Sequence, residues 1–402
     1  MRIGVIGGGA AGFFGAITAA LTNPQAEVTI FEAAPEPLGK VRISGGGRCN
    51  VTHHCFDPAQ LVQQYPRGGR ALRGAFSRFQ PEDTVAWFAA RGVPLKTEAD
   101  GRMFPITDDA ATIADCLIHT ARAAGVQVRL KTPVRGIERR DRWQIQLKQE
   151  RWDCDRLLLA TGSNRLAYRW IESLGHTLIP PVPSLFTFKL NDPRLRDLAG
   201  VSVDPAIVTL GPGKTKLQQT GPLLITHWGL SGPAVLKLSA WGARHLHDQR
   251  YHAPLTINWC PGETPDSLRQ ILAATKHATP KRKVSTAPPV PLPKRLWQRF
   301  VALNLANPDQ LWAHLSKAEL LSLARELTQG QYHITGKGVF KEEFVTCGGV
   351  ELKEVDFKTL ASRRCPGLYF AGEVLDVDGV TGGFNFQNAW TTGWLAGRAI
   401  AL

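Results

Sequence analysis

The feature that most constrains this chain is the run Gly7-Gly8-Gly9-Ala10-Ala11-Gly12, set between an apolar segment at residues 2 to 6 and an Ala-rich apolar stretch reaching about Leu21. A strand, a glycine turn and a helix in that order match the G-x-G-x-x-G fingerprint of a dinucleotide-binding β-α-β unit. Gly7 permits the tight turn, Gly9 lets the backbone approach a pyrophosphate, and Gly12 lets the helix pack closely on the strand. The helix start then offers free N–H groups and a partial positive charge to phosphates. Glu32, about twenty residues further on at the end of the next strand, would accept hydrogen bonds from an adenosine ribose and disfavour a 2′-phosphate there. A purely structural glycine turn is the competing reading, and the strand, helix and acidic residue around it argue against it.

The rest of the chain extends this unit. Helices are expected at residues 81 to 91 and 108 to 124, the second as a crossover into a strand at 126 to 130. An antiparallel pair is expected at 136 to 141 and 143 to 147. Residues 156 to 160 then read as a buried parallel strand that ends in Ala160-Thr161-Gly162. From about Pro180 the texture changes, with Pro180, Pro181 and Pro183 followed by short alternating segments near 187 to 190 and 206 to 210. Residues 276 to 299 are rich in Lys, Arg and Pro, and helical spacing resumes at 296 to 303 and 316 to 327. Near Lys341 the chain is expected to return to the first domain, with residues 367 to 372 as one more buried strand.

A length of 402 residues suits two or three domains, and 43% hydrophobic with 20% charged residues is ordinary globular composition. Met1 leads almost at once into the first strand, leaving no room for a secretion signal, and no apolar run is long enough to span a membrane. The expected location is therefore cytoplasmic. Seven cysteines without a C-x-x-C pair give little support to a disulfide framework or a zinc site. The adjacent His53, His54 and Cys55 read as loop residues, because three neighbouring side chains do not easily converge on one ion. A formal charge of +14 does need a reason. It favours polyanions such as nucleic acid, with even spreading of charge for solubility as the alternative.

Further glycine-rich pieces point to FAD rather than NAD. The first, Gly39 to Asn50, places Lys40, Ser44, Gly46, Arg48, Cys49 and Asn50 directly after Glu32, where a flexible backbone can lie along a phosphorylated ligand. The second, Phe370 to Asn388, contains Gly372, Glu373, Gly383, Phe384 and Asn385 and leads into an apolar helix over 389 to 401. Such a second helix start can stabilise negative charge on a reduced flavin.

These runs, with His227-Trp228-Gly229-Leu230-Ser231-Gly232-Pro233 and Thr346-Cys347-Gly348-Gly349-Val350, resemble the YhiN-like flavoproteins, the BaiN/RdsA family of NAD(P)/FAD-dependent oxidoreductases, over nearly the whole chain. The resemblance implies an α/β Rossmann-like FAD-binding domain formed by both chain ends (1–185 and 341–402). Between them it implies an inserted β-barrel-like domain (186–340) carrying a small helical subdomain at about 262–328. By the same resemblance Gly7, Gly9, Ala10, Ala11, Gly12 and Glu32 hold the ADP half. Lys40, Ser44, Gly46, Arg48 and Cys49 run beside the ribityl chain and flavin, Val134 meets adenine through its backbone, and Ala160, Thr161 and Gly162 pass near the pyrophosphate. Gly372, Glu373, Gly383, Phe384 and Asn385 complete the site. Ser163 stands where a second glycine is common in the family.

Activities that the resemblance implies are reduction of C=C bonds, in uracil of rRNA or in bile-acid-like steroids, and oxidation of aminoacetone. The charge, with Lys281, Arg282, Lys283, Lys294 and Arg295, favours rRNA and dihydrouridine formation. Small-molecule flavin chemistry and a non-catalytic RNA-binding flavoprotein are the alternatives. Cys49, or an ordered water, is the expected proton donor, with Arg48 and Asn50 to polarise a carbonyl. These three residues have a bland reading as well, as loop braces and a gap filler. A single nucleotide fingerprint leaves NAD(P)H as a transient electron donor.

Overall fold

Alternating β-branched and apolar residues in Arg2–Ile6 (β1) and Glu27–Phe31 (β2) form adjacent parallel strands, with Ala10–Thr22 (α1) crossing between them. In the computed structural model, which describes residues 1–211, 216–338 and 345–402, these belong to the first of two compact units, residues 1–182 with 345–402; the second is 183–344. The expected return at Lys341 lies outside the described residues.

The core of the first unit is a parallel sheet in the order Leu368–Phe370, Arg156–Leu159, β1, β2, Gln127–Arg129. Its strands are near-continuous apolar runs because both faces are covered. Two short antiparallel strands, Val355–Asp356 and Ala361–Ser362, extend one edge. α1 and the C-terminal helix Phe384–Ile400 cross backbone to backbone. A Cβ on Gly397 would stand 2.4 Å from Gly15 O, so only glycine permits this approach. That crossing places the start of the C-terminal helix and the start of α1 in the same unit, one behind each glycine-rich run.

Three elements differ from expectation. The antiparallel pair 136–139 and 143–146 gains a third strand, Arg151–Cys154, whose Trp152 and Cys154 are buried while Arg151 is exposed. The C-terminal helix begins at Phe384, five residues before the expected 389, because Gly383 caps it and Phe384, Gln387 and Asn388 are already buried. Residues 165–173, where no helix was foreseen, form one, capped by the Asn164 side chain accepting from the amides of Leu166 and Ala167 at 2.9 and 3.2 Å.

The second unit is built on a seven-stranded antiparallel sheet whose central members are Ser202–Leu210 and Leu217–Thr226. Gly330–Ile334 forms one edge and Gly336–Lys337 the other, yet only Thr335 separates them in sequence. One bent segment thus bonds to both ends of the strand order, with the Thr335 amide donating to Lys189 O at 2.8 Å. Helices Pro265–Ala278, Lys294–Asn304 and Lys317–Gln329 pack around Trp259, Trp297 and Trp312. The basic tract is not a loose linker. The amides of Val284 and Trp312 bond to Gln310 O and Arg282 O, and Trp297 Nε1 donates to Val284 O at 2.8 Å. Among the described residues no helix is long and apolar enough to cross a membrane.

Candidate functional site

The glycine turn after β1 is packed so that Gly7, Gly8 and Gly12 have a reason inside the protein and Gly9 does not, a Cβ on Gly8 lying 2.9 Å from Glu32 Cβ. A Cβ on Gly7 would lie 2.3 Å from Ala160 O, and one on Gly12 would lie 1.9 Å from Gly7 O. A Cβ on Gly9 would meet nothing within 4 Å. Open space beside Gly9, at the cap of α1, is what the close approach of a pyrophosphate requires. The first backbone bond of α1 runs from Phe13 N–H to Gly9 O at 3.0 Å, so the amides of Ala10, Ala11 and Gly12 precede the helical ladder. Gly9 supplies no side-chain cap. Close by in the chain fold, Ala160 N–H bonds to Ile6 O, and the Thr161 hydroxyl is buried without a partner among the described residues. An orphaned hydroxyl and a set of uncapped amides suit an anionic ligand.

Glu32 is fixed by two amides, Gly8 and Ala34, each 2.7 Å from one carboxylate oxygen. The backbone of Glu32 also accepts from Thr132 N–H at 2.8 Å, which brings the segment containing buried Val134 alongside the carboxylate. Ribose and adenine contacts would therefore come from neighbouring stretches.

Gly39–Gly47 (α2), read from the sequence as a flexible stretch beside a ligand, is partly helical. It begins as a helix and is broken at Ser44–Gly46, where Gly45 and Gly46 turn left-handed. Leu38 and Cys49, which bracket it, hold positive φ of 62° and 59°. Non-glycine residues in that region cost about 1–2 kcal/mol each and gather where function demands a special backbone path. Lys40 Nζ reaches Glu373 at 2.5 Å, and Glu373 also accepts from Thr346 N–H at 2.9 Å. Two distant glycine-rich runs are tied together by that ion pair.

The three candidates for chemistry are held as follows. Arg48 donates to Glu98 at 2.7 Å, lies 3.5 Å from Asp108, and covers the Phe104 ring at 4.1 Å. Cys49 is 0% exposed, and burial pushes its thiol up to about 12, so it stays protonated at neutral pH. The Asn50 amide donates to Thr52 O and accepts from Gly383 N–H, both at 3.0 Å. Asn385 grips Gly379 through both its N–H and its C=O at 2.9 Å. Lys281, Arg282, Lys283, Lys294 and Arg295 belong to the second unit. There Lys283 pairs with Asp309 at 3.0 Å, and Arg295 donates to Asp197 O.

Sequence reasoning missed a set of braces around the C-terminal helix. Gln387, fully buried, accepts from Thr52 and Thr84 hydroxyls at 2.6 and 2.9 Å and donates to Thr391 at 3.0 Å. The Tyr65 hydroxyl donates to Phe384 O at 2.7 Å, and His53 stacks on the Phe384 ring at 4.7 Å. Arg67 pairs with the fully buried Asp378. The available signal was weak: polar residues 385, 387 and 388 at the start of an apolar helix.

The family model described as the HI0933-like protein Rossmann domain matches residues 1–399. The chain belongs to the HI0933-like family. Among its relatives, the 3-dehydro-bile acid delta(4,6)-reductase of Clostridium scindens is 31% identical, with 100% of this chain and 99% of that protein covered. The ribosomal RNA dihydrouridine synthase of Escherichia coli is also 31% identical, over 98% of this chain and 97% of its own. Among solved structures, the 3-ketosteroid-delta4-(5alpha)-dehydrogenase of Rhodococcus jostii superposes with a TM-score of 0.54 at 14% identity, covering 100% of this chain and 96% of that one. Identity that low speaks for the fold, an α/β Rossmann type, and for nothing finer. The HI0933-like fold thus carries the glycine turn, Glu32 and the two glycine-rich runs on one unit.

Proposed function

We propose that this HI0933-like protein is an FAD-dependent oxidoreductase that reduces a C=C bond, with uridine in ribosomal RNA as substrate and NAD(P)H as electron source. Relatives of equal identity are named for a bile acid and for ribosomal RNA, so likeness alone does not choose between them. Charge does. The second unit carries 20 Lys and Arg against 11 Asp and Glu, a net +9, while the larger first unit carries +5. A positive field of this kind attracts a polyanion much more strongly than a bile acid, which carries a single carboxylate.

The residues fit FAD. Uncapped amides at Ala10, Ala11 and Gly12, the open space at Gly9 and the orphaned Thr161 hydroxyl suit the pyrophosphate. Glu32 suits the ribose, and Val134, on the segment beside it, would meet adenine through its backbone. Lys40, Ser44, Gly46, Gly162, Gly372 and Glu373 would border the ribityl side, with Gly383, Phe384 and Asn385 at the flavin. When bound, FAD supplies a two-electron centre for hydride transfer.

The chain's own residues then set geometry and charge. The first ladder bond of the C-terminal helix joins Gln387 N–H to Gly383 O at 2.9 Å, leaving the amides of the helix start to stabilise negative charge. Asn50 fixes Gly383, and Arg48, braced by Glu98, fixes the turn that carries Asn50; both are positioning residues in this reading. Cys49 packs the turn, and solvent delivers the proton. The test is nucleoside mass spectrometry of rRNA from the host with and without the gene. Loss of a dihydrouridine on deletion and its return on complementation is expected; an unchanged profile would remove rRNA from the reading.

A further inference from the structure

A cleft of about 510 Å³ on the first unit lies apart from the glycine-rich runs and plays no part in the flavin reading. Its lining includes Arg78, Lys353, Lys358 and Arg363 against one carboxylate, Asp356, and the part-exposed ring of Phe357. Four cations around one anion in a concave site leave a net +3 and focus positive potential there. The wall is built rather than incidental: Arg78 donates to Lys358 O, Arg363 Nε to Val355 O at 3.3 Å, and Lys358 N–H to Asp356 at 3.0 Å. Asp356 thus neutralises Arg363, 3.6 Å away, while the Lys353 and Lys358 ammonium groups have no carboxylate partner among the described residues. An aromatic ring among cations is the chemistry that takes an unpaired nucleotide, base on ring and phosphate on ammonium.

The cleft is joined to the candidate site by one helix. Gly69–Phe76 begins beside Arg67, which pairs with Asp378 in the run leading to Gly383, and Arg78 follows its other end. Eight residues of helix span about 12 Å.

From this arrangement we infer that the cleft is a docking site for a single-stranded polynucleotide, with a base stacked on Phe357 and backbone phosphates held by Lys353 and Lys358. The inference rests on the rRNA reading and names where on the first unit the RNA is held.

It is tested on the FAD-loaded full chain, using a short fluorescein-labelled oligouridylate and anisotropy over a range of salt. Lys353→Ala with Lys358→Ala should weaken binding and lower the salt slope by about 1.4, at about 0.7 for each phosphate no longer neutralised. Phe357→Ala should weaken binding about tenfold with the slope unchanged. Flavin absorbance and melting temperature report whether each variant is folded, and Lys353→Gln with Lys358→Gln gives a second charge-removing pair should the alanines fail. Wild-type binding that all these variants retain overturns the cleft and leaves the rRNA reading standing. No RNA binding by the wild type overturns both. Variants that bind RNA normally but need more NADPH for flavin reduction would assign the cleft to the dinucleotide phosphate and overturn the inference.

Discussion

Replacing Gly9 by alanine separates what the glycine turn does for the fold from what it does for the cofactor. Gly9 sits at φ −92°, ψ −170°, extended backbone open to any residue, and its added methyl meets nothing within 4 Å. Restricting the unfolded chain favours alanine by about 0.4–1 kcal/mol. Alanine is a poorer helix cap than glycine by a similar amount, so the two terms offset to within about 1 kcal/mol. The methyl does enter the space assigned to the pyrophosphate. Overpacking of that kind costs about 1–3 kcal/mol, or about 5- to 150-fold in FAD affinity. Gly7→Ala behaves oppositely, since its methyl would meet Ala160 O at 2.3 Å with φ at 111°, and the fold itself suffers. Fluorescence titration with FAD and thermal unfolding without added FAD are the assays. Wild-type FAD affinity in Gly9→Ala would refute the placement of the pyrophosphate; a collapse in its unliganded stability would refute the claim that the space is open.

Other substitutions probe the remaining arguments. Cys49→Ala should retain turnover within about threefold, since a fully buried thiol gives up only a small packing contribution, and stopped turnover would make it the proton donor. Glu32→Gln should weaken FAD about tenfold, as hydrogen bonds to a charged acceptor contribute about 1.5–3 kcal/mol; equilibrium dialysis checks this. Acid stability should hinge on a buried group. Burial raises the Glu354 carboxyl, but Arg364 at 2.6 Å, the Thr177 amide and His176 outweigh it and bring it down to about 2. A carboxyl lowered from 4.5 in the unfolded chain stabilises above that pH and loses the contribution as pH falls towards about 2. His176, lowered below 6.5 chiefly by burial, resists protonation and adds to the loss from that pH downward. Glu354→Gln should flatten the acid limb of the unfolding curve, and an unchanged limb would refute the assignment.

The first unit was largely legible because its signals are local. A strand, three spaced glycines and Glu32 specify backbone geometry within about thirty residues, and β1, α1 and β2 follow. The buried strand at Arg156–Leu159 was readable as an unbroken apolar run. The bracing of the site was not, because it depends on partners far apart in sequence: Asn50 with Gly383, Lys40 with Glu373, Gln387 with Thr52 and Thr84. Arg48 shows the limit most clearly. Its charge and its position suggested substrate, whereas its neighbours Glu98 and Asp108 come from a hairpin and turn some fifty to sixty residues away. In the second unit prolines break the periodicity of the basic tract, and its order comes from pairing with residues 310–313 and from Trp297 bonding to Val284 O.

The most direct measurement of the central claim is reconstitution. FAD-loaded protein, NADH or NADPH, and rRNA from the deletion host would be incubated, digested and weighed nucleoside by nucleoside. The account predicts flavin bleaching by the nicotinamide and a new nucleoside heavier than uridine by two hydrogens, at a rate that falls steeply with salt. Flavin that is bleached, reoxidises with an enone or amine substrate and leaves every uridine unchanged would contradict it.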